Sequence, residues 1–128
     1  MADGLAWADV VSVHVPKSGR PILSADEFAC LKPGAIVINT ARGGIVDEAA
    51  LALALGDGRV GAAGLDVFGD EPPAKGHSLL AFDQVVLTPH IAGLTQQAAE
   101  RMAVSSVQNV IDFFAGRLDA DLIVNGDF

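Results

Sequence analysis

Four short apolar runs, at residues 9–15, 34–40, 60–68 and 85–88, are separated by connections too long for β-hairpins. That spacing constrains the fold more than any other feature, because antiparallel neighbours can be joined by two residues whereas parallel neighbours need a crossover of a dozen or more. The run at 34–40, Gly-Ala-Ile-Val-Ile-Asn-Thr, lacks polar–apolar alternation, which is the pattern of a strand buried on both faces of a parallel sheet. The expected fold class is α/β, built from right-handed βαβ units.

The connections carry helix signals. Ser24-Ala-Asp-Glu27 is a capping-box sequence ahead of Phe28, Cys30 and Leu31, and Lys32-Pro33-Gly34 stops that helix. Asp47 can cap a second helix through Ala49, Leu51, Leu53 and Leu55, closed between Gly56 and Gly58. From about 94 to 115, the spacing of Ala98, Met102, Ala103, Val107, Val110, Ile111 and Phe114 predicts a longer helix with Gly116 as its stop. The connection from Asp70-Glu-Pro-Pro-Ala74 to about Phe82 reads as a loop. At 128 residues and 51% hydrophobic content, the chain has enough apolar material for the core of one globular domain.

The chemistry gathers just past the strand ends. In an open parallel sheet, ligands bind outside the carboxyl ends of the strands, and Arg42, Glu71 and His90 each follow such an end. The Arg42 guanidinium, set between Thr40-Ala41 and Gly43-Gly44, suits a bidentate grip on a carboxylate, although the position alone also fits a surface arginine. His90 follows Thr88-Pro89 and offers an imidazole as general acid or base, or as a loop cap. A carboxylate from Glu71 beside it would hold one tautomer and raise its basicity. Asp66 lies inside the apolar stretch 64–68, so its charge needs a protein donor or the amide of a ligand. His14, also near a strand end, reads as structural or cofactor-adjacent, and His77 as part of loop chemistry.

Gly56-Asp-Gly-Arg-Val-Gly61 matches the dinucleotide fingerprint Gly-x-Gly-x-x-Gly letter by letter but in reversed context, after a helix and before a strand. A helix end and turn are expected there instead. No His-x-x-x-His, Cys-x-x-Cys or Gly-x-Ser-x-Gly spacing occurs, so neither a metal nor a serine nucleophile is expected. Cys30, the single cysteine, rules out an intrachain disulfide and reads as a small core residue. Sixteen acidic against eight basic residues give a net charge of -8, which argues against nucleic acid as a partner. No apolar run approaches the roughly 20 residues of a membrane span, and the start lacks the basic region of a signal peptide. The expectation is a soluble, cytoplasmic protein with no membrane partner.

Four ordered stretches carry a family resemblance: residues 8–16 (Ala-Asp-Val-Val-Ser-Val-His-Val-Pro), 31–51 (with Asn39-Thr-Ala-Arg-Gly-Gly44 at its centre), 64–72 (Gly-Leu-Asp-Val-Phe-Gly-Asp-Glu-Pro) and 87–93 (Leu-Thr-Pro-His-Ile-Ala-Gly). With the spacing between them they run over nearly the whole chain. In these stretches the sequence resembles the carboxyl-terminal part of the D-isomer-specific 2-hydroxyacid dehydrogenases, the family of D-3-phosphoglycerate dehydrogenase and glyoxylate/hydroxypyruvate reductase.

The resemblance implies a Rossmann-type parallel sheet, with residues 1–93 forming part of an NAD(P)-binding domain without its glycine-rich loop. Residues 94–128 would form a long helix and a segment returning toward a substrate domain. It further implies that Arg42 binds the substrate carboxylate and carbonyl, that His90 exchanges a proton with the C2 hydroxyl of a small 2-oxo or 2-hydroxy acid, and that Glu71 orients His90. His14, Val15, Pro16, Thr40, Ala41, Arg42, His90, Ala92 and Gly93 would line the cofactor, and Asp66 would contact its nicotinamide amide.

The cofactor implied is NAD, with NADP not excluded, because the family's ribose-reading acidic residue lies upstream of Met1. The loop Lys17-Ser-Gly-Arg-Pro21 is shorter and more basic than the family's usual stretch. The chain is expected to be inactive or nearly so alone. Two other readings stand beside this one: a dinucleotide-sensing binding protein like the family's corepressor relatives, and a non-catalytic remnant that pairs its exposed sheet edge with another copy, as a homodimer or other self-association.

Overall fold

A computed structural model describes residues 1–124, which fall into two compact units, Met1–Ala92 and Gly93 onward. Residues 125–128, the last of the segment expected to return toward a substrate domain, lie outside the described residues. The first unit opens with α1 (Ala2–Trp7), a helix with no capping or periodic signal in the sequence, whose Leu5 is buried. Then come β1 (Val10–Val13), α2 (Ala25–Ala29), β2 (Ala35–Asn39), α3 (Glu48–Gly56), β3 (Val60–Leu65), one turn of 3₁₀ helix (Ser78–Ala81) and β4 (Val85–Leu87). The second unit holds α4 (Gln96–Phe114) and a short 3₁₀ turn (Ala120–Leu122).

All strands are parallel, in the order β1-β2-β3-β4, with Val11, Val37, Ala63 and Val85 in one row and Val13, Asn39, Leu65 and Leu87 in another. The helix starts follow the local signals in the sequence. Glu27 accepts hydrogen bonds from both the Ser24 amide (3.0 Å) and the Ser24 hydroxyl (2.6 Å), and these hold its carboxyl below the usual range. Asp47 accepts from the Ala50 amide at 3.0 Å and opens α3.

The core is one-sided. Phe28 of α2 and Leu51 and Leu55 of α3 pack with Val37, Val60 and Leu65 of the sheet in one buried cluster, joined by Leu23, Leu31, Ile45 and Leu79. Burial on both faces of β2 is therefore corrected by the structure: Ala35, Val37 and Asn39 are buried, whereas Ile36 is 38% exposed. Its neighbours on that face, Val10 and Val86, are 52% and 68% exposed. The crossovers of residues 1–92 cover one face of the sheet, and an unalternating apolar sequence cannot distinguish a covered face from an open one.

The Gly56–Gly61 stretch is a turn, as its context predicts. Gly58 takes a left-handed φ of +78° directly after α3. A side chain on Gly61 would lie 2.7 Å from the Gly34 carbonyl, so this glycine permits close approach of two backbones at the start of β3. In the second unit, α4 starts at Thr95, whose hydroxyl accepts from the Ala98 amide at 3.0 Å. None of its residues is buried, and Met102, Val107, Val110, Ile111 and Phe114 form an exposed apolar stripe. No helix among the described residues is long and apolar enough to cross a membrane.

Candidate active site

Three turns, following β2, β3 and β4, build the site at the carboxyl end of the sheet. After β2, the buried Asn39 folds the backbone over itself: its Oδ1 accepts from the Ala41 amide and its Nδ2 donates to the Arg42 carbonyl, both at 3.0 Å. This local competition with the strand ladder ends β2 and leaves the Arg42 side chain exposed, its guanidinium donating to the Ala41 carbonyl at 2.6 Å. Gly43 then packs on the turn after β3. A Cβ there would sit 1.6 Å from the Phe68 carbonyl oxygen, so only glycine fits.

After β3 comes Asp66, 3% exposed. Its carboxylate accepts from the Thr88 hydroxyl and from the Ile91 and Ala92 amides, the latter two at 2.9 Å. Burial alone would push this carboxyl up, but the three donors outweigh burial and hold it below the usual range. These bonds, with the His90 amide donating to the Asp66 carbonyl at 2.9 Å, wind residues 88–92 into a tight turn. His90 there takes a φ of +55°, the left-handed region that non-glycine residues seldom enter.

The wound turn brings the His90 Nδ1 within 2.8 Å of Glu71 Oε2, while Glu71 Oε1 accepts from the Phe68 amide at 2.9 Å. The imidazole first, and that amide second, hold the Glu71 carboxyl below its usual range. An ionised carboxylate only accepts, so His90 Nδ1 carries the hydrogen and Nε2 is the nitrogen free to exchange a proton.

The expected trio does converge. Arg42, Glu71 and His90 line one cleft of about 240 Å³ together with Lys17, and Glu71 and His90 also border a neighbouring cleft of about 460 Å³ with Asp66, Phe68, Pro72 and Leu87. His14, Val15, Pro16, Thr40, Ala41 and Ala92 line neither of these two clefts. The exposed His14 pairs instead with the Ser12 hydroxyl at 2.7 Å, and Gly93 begins the second unit. Asp66 meets its need for partners with protein donors. Among the described residues, no group of three His, Cys, Asp or Glu side chains could hold a metal.

The sequence reading missed Asn39, Lys17 and Glu48. The first had a signal, since an asparagine at the end of an apolar run, two residues before its partner amide, is a turn former. Glu48 reaches across the fold to residues 69 and 77, and no local pattern announces such a contact.

The family model of the D-isomer specific 2-hydroxyacid dehydrogenase NAD binding domain matches residues 1–92. The chain belongs to this family. Among relatives of this 2-hydroxyacid dehydrogenase domain, a D-3-phosphoglycerate dehydrogenase of Archaeoglobus fulgidus is 44% identical over 114 residues, 88% of this chain and 22% of that protein. A D-lactate dehydrogenase from Lactobacillus jensenii, solved with NAD+, superposes with a TM-score of 0.86 at 33% identity over 97% of this chain and 42% of that one. A D-isomer specific 2-hydroxyacid dehydrogenase from Xanthobacter autotrophicus Py2, solved with NADPH and MES, gives 0.78 at 38% identity over 93% and 49%. The chain thus spans about a fifth of the length of the curated relative, about two fifths of the D-lactate dehydrogenase and about half of the Xanthobacter structure.

NAD is the family's cofactor, and the residues present fit one end of it. The Asn39 turn after β2 and the Asp66-held turn after β4 both lie past the carboxyl ends of parallel strands, the end at which such sheets bind ligands. A pyrophosphate cradle is a different matter. The three glycines at 56, 58 and 61 lie before and at the amino end of β3, and only Gly61 makes a close contact, with the Gly34 backbone.

Proposed function

We propose that this domain carries the substrate-holding and proton-transfer groups of a D-2-hydroxyacid dehydrogenase. The observation that supports this most is the His90–Glu71 pair opening onto the same cleft as the Arg42 side chain. In this reading Arg42 holds the substrate carboxylate and stabilises negative charge developing on the C2 oxygen. His90, through Nε2, gives a proton to that oxygen when a 2-oxo acid is reduced and takes it back in the reverse direction. Glu71 fixes the tautomer and orientation of the imidazole, and Asp66 holds the turn that presents it. When bound, the nicotinamide supplies the hydride at the substrate carbon. His14, Val15, Pro16, Thr40, Ala41, Ala92 and Gly93 are the residues proposed to face the cofactor, with Asp66 near its amide.

The partners proposed are a small 2-oxo or 2-hydroxy acid and a second copy of the chain, in the cytoplasm. Among the described residues β1 and β4 are the edge strands of the sheet, and an unpaired edge supports self-association. A single peak at monomer mass in size-exclusion chromatography with light scattering would refute the pairing.

The catalytic reading is tested with a chimera in which this chain replaces the matching segment of the Archaeoglobus D-3-phosphoglycerate dehydrogenase. The chimera is expected to oxidise NADH with glyoxylate or hydroxypyruvate, whereas the 128-residue chain alone turns over little or not at all. A folded chimera that binds NADH and reduces neither acid would overturn the assignment.

A further inference from the structure

Glu71 is carried by residues 69–77, a stretch containing Pro72, Pro73 and Gly76. Among the described residues its one internal backbone hydrogen bond runs from the His77 amide to the Ala74 carbonyl at 2.9 Å. Such a segment does not set its own shape, yet the proton-transfer pair depends on where it puts one carboxylate. Both of its ends meet a single side chain, that of Glu48. Oε1 accepts from the Gly69 amide at 2.6 Å, and Oε2 lies 2.9 Å from His77 Nε2.

Glu48 is well placed for that task. It occupies the first turn of α3, directly after the Asp47 cap, and its side chain and that of His77 are both only 21% exposed. The His77 ring is oriented on its other side, where Nδ1 accepts from the Leu79 amide at 3.3 Å and Leu79 is fully buried in the core. The ring also stands edge-on to Phe68, with centroids 5.6 Å apart. Two consecutive amides thus serve two carboxylates: Phe68 N–H binds Glu71, and Gly69 N–H binds Glu48.

We propose that Glu48 and His77 are positioning residues that strap the segment 69–77 to α3 and thereby set Glu71 against His90. The proposal rests on reading Glu71 and His90 as the proton-transfer pair. Glu48 hydrogen-bonds to neither Glu71 nor His90; it acts through the Gly69 peptide and the imidazole that closes the loop.

The test is an NMR titration of the Glu71 side-chain carboxyl in the full 128-residue chain. The groups facing it are His90, Asp66 and the Phe68 amide, with Lys17 and Arg42 on the same cleft. The expected result is an upward movement of the Glu71 midpoint toward the ordinary carboxylate range in Glu48→Ala and in His77→Ala. The double variant should move no further than Glu48→Ala, because the two side chains act as one strap. Glu48→Gln should move the midpoint part of the way, since its amide oxygen still accepts from Gly69 while its NH₂ faces the His77 Nε2–H.

An unchanged Glu71 midpoint in the alanine variants, with the sheet amides still dispersed, would overturn the proposal. If Glu48→Ala fails to fold, His77→Ala and Glu48→Gln carry the same comparison. The titration needs neither cofactor nor turnover. A responsive midpoint beside an inactive chimera would sink the catalytic reading alone, and an unresponsive midpoint beside an active one would sink the strap alone.

Discussion

Among the described residues, two carboxylate–imidazole pairs have nearly equal geometry. His90 and Glu71 meet at 2.8 Å, and His77 and Glu48 at 2.9 Å. Their surroundings differ. The first pair is 49% and 36% exposed on the cleft that also holds Arg42, and its histidine is wound into a left-handed turn; the second is 21% exposed on both sides and sits against α3 and the 3₁₀ turn. In the proposed roles, the same chemical unit serves two ends. Open to a cleft it can pass a proton to a ligand; shut against the core it is a joint.

The largest contrast between the pairs should be in rate. In the chimera, His90→Gln is expected to lower kcat by about 10²–10⁴-fold, the usual worth of a positioned general acid–base. His77→Gln, which can still offer an amide to Glu48, should cost far less. Equal losses measured in steady-state assays would erase the distinction between the two.

Next comes the peptide on which both pairs depend. Gly43→Ala drives a methyl into the Phe68 carbonyl and should destabilise the chain by at least about 1–3 kcal/mol, read from urea unfolding. Parent-like stability there would mean that the Arg42 and Glu71 turns are not coupled through this contact.

Asp66→Asn should cost about 1–3 kcal/mol, because one of the three donors would then face an NH₂ group instead of an oxygen. The pH dependence gives the finer test. Asp66 titrates below its ordinary value when folded, so its stabilisation is complete above the unfolded-chain value and is lost as pH falls through the folded one. Glu27 and Glu71 are also held low and act in the same direction. Urea midpoints should therefore drop on acidification, with a shallower slope in Asp66→Asn; an identical slope would show that the Asp66 carboxylate does not stabilise the turn.

The strand ends were legible because parallel crossovers and unalternating apolar runs leave few topologies, and Arg42, Glu71 and His90 were legible because they immediately follow those runs. The caps at Ser24 and Asp47 and the turn at Gly58 were readable for the same reason: each depends on neighbours within about four residues. What stayed hidden is non-local. Glu48 meets Gly69 and His77 across 21 and 29 residues, and His77 taken alone was simply a histidine in a loop. The exposure of Ile36 was hidden too, since it depends on what lies over a sheet face and not on the strand itself.

The glycines at 56, 58 and 61 have a practical consequence. A strand of six residues is about 20 Å long, so the turn before β3 lies roughly that far from the proton-transfer pair. The space around the Cβ position of Gly56 is empty to 4 Å, and this glycine, unlike Gly58, has no left-handed φ. A search by letters would aim a nucleotide at this spot; the fold instead makes it the place to attach a fluorophore, an epitope or a tether while leaving the chemistry at the far end of the sheet undisturbed.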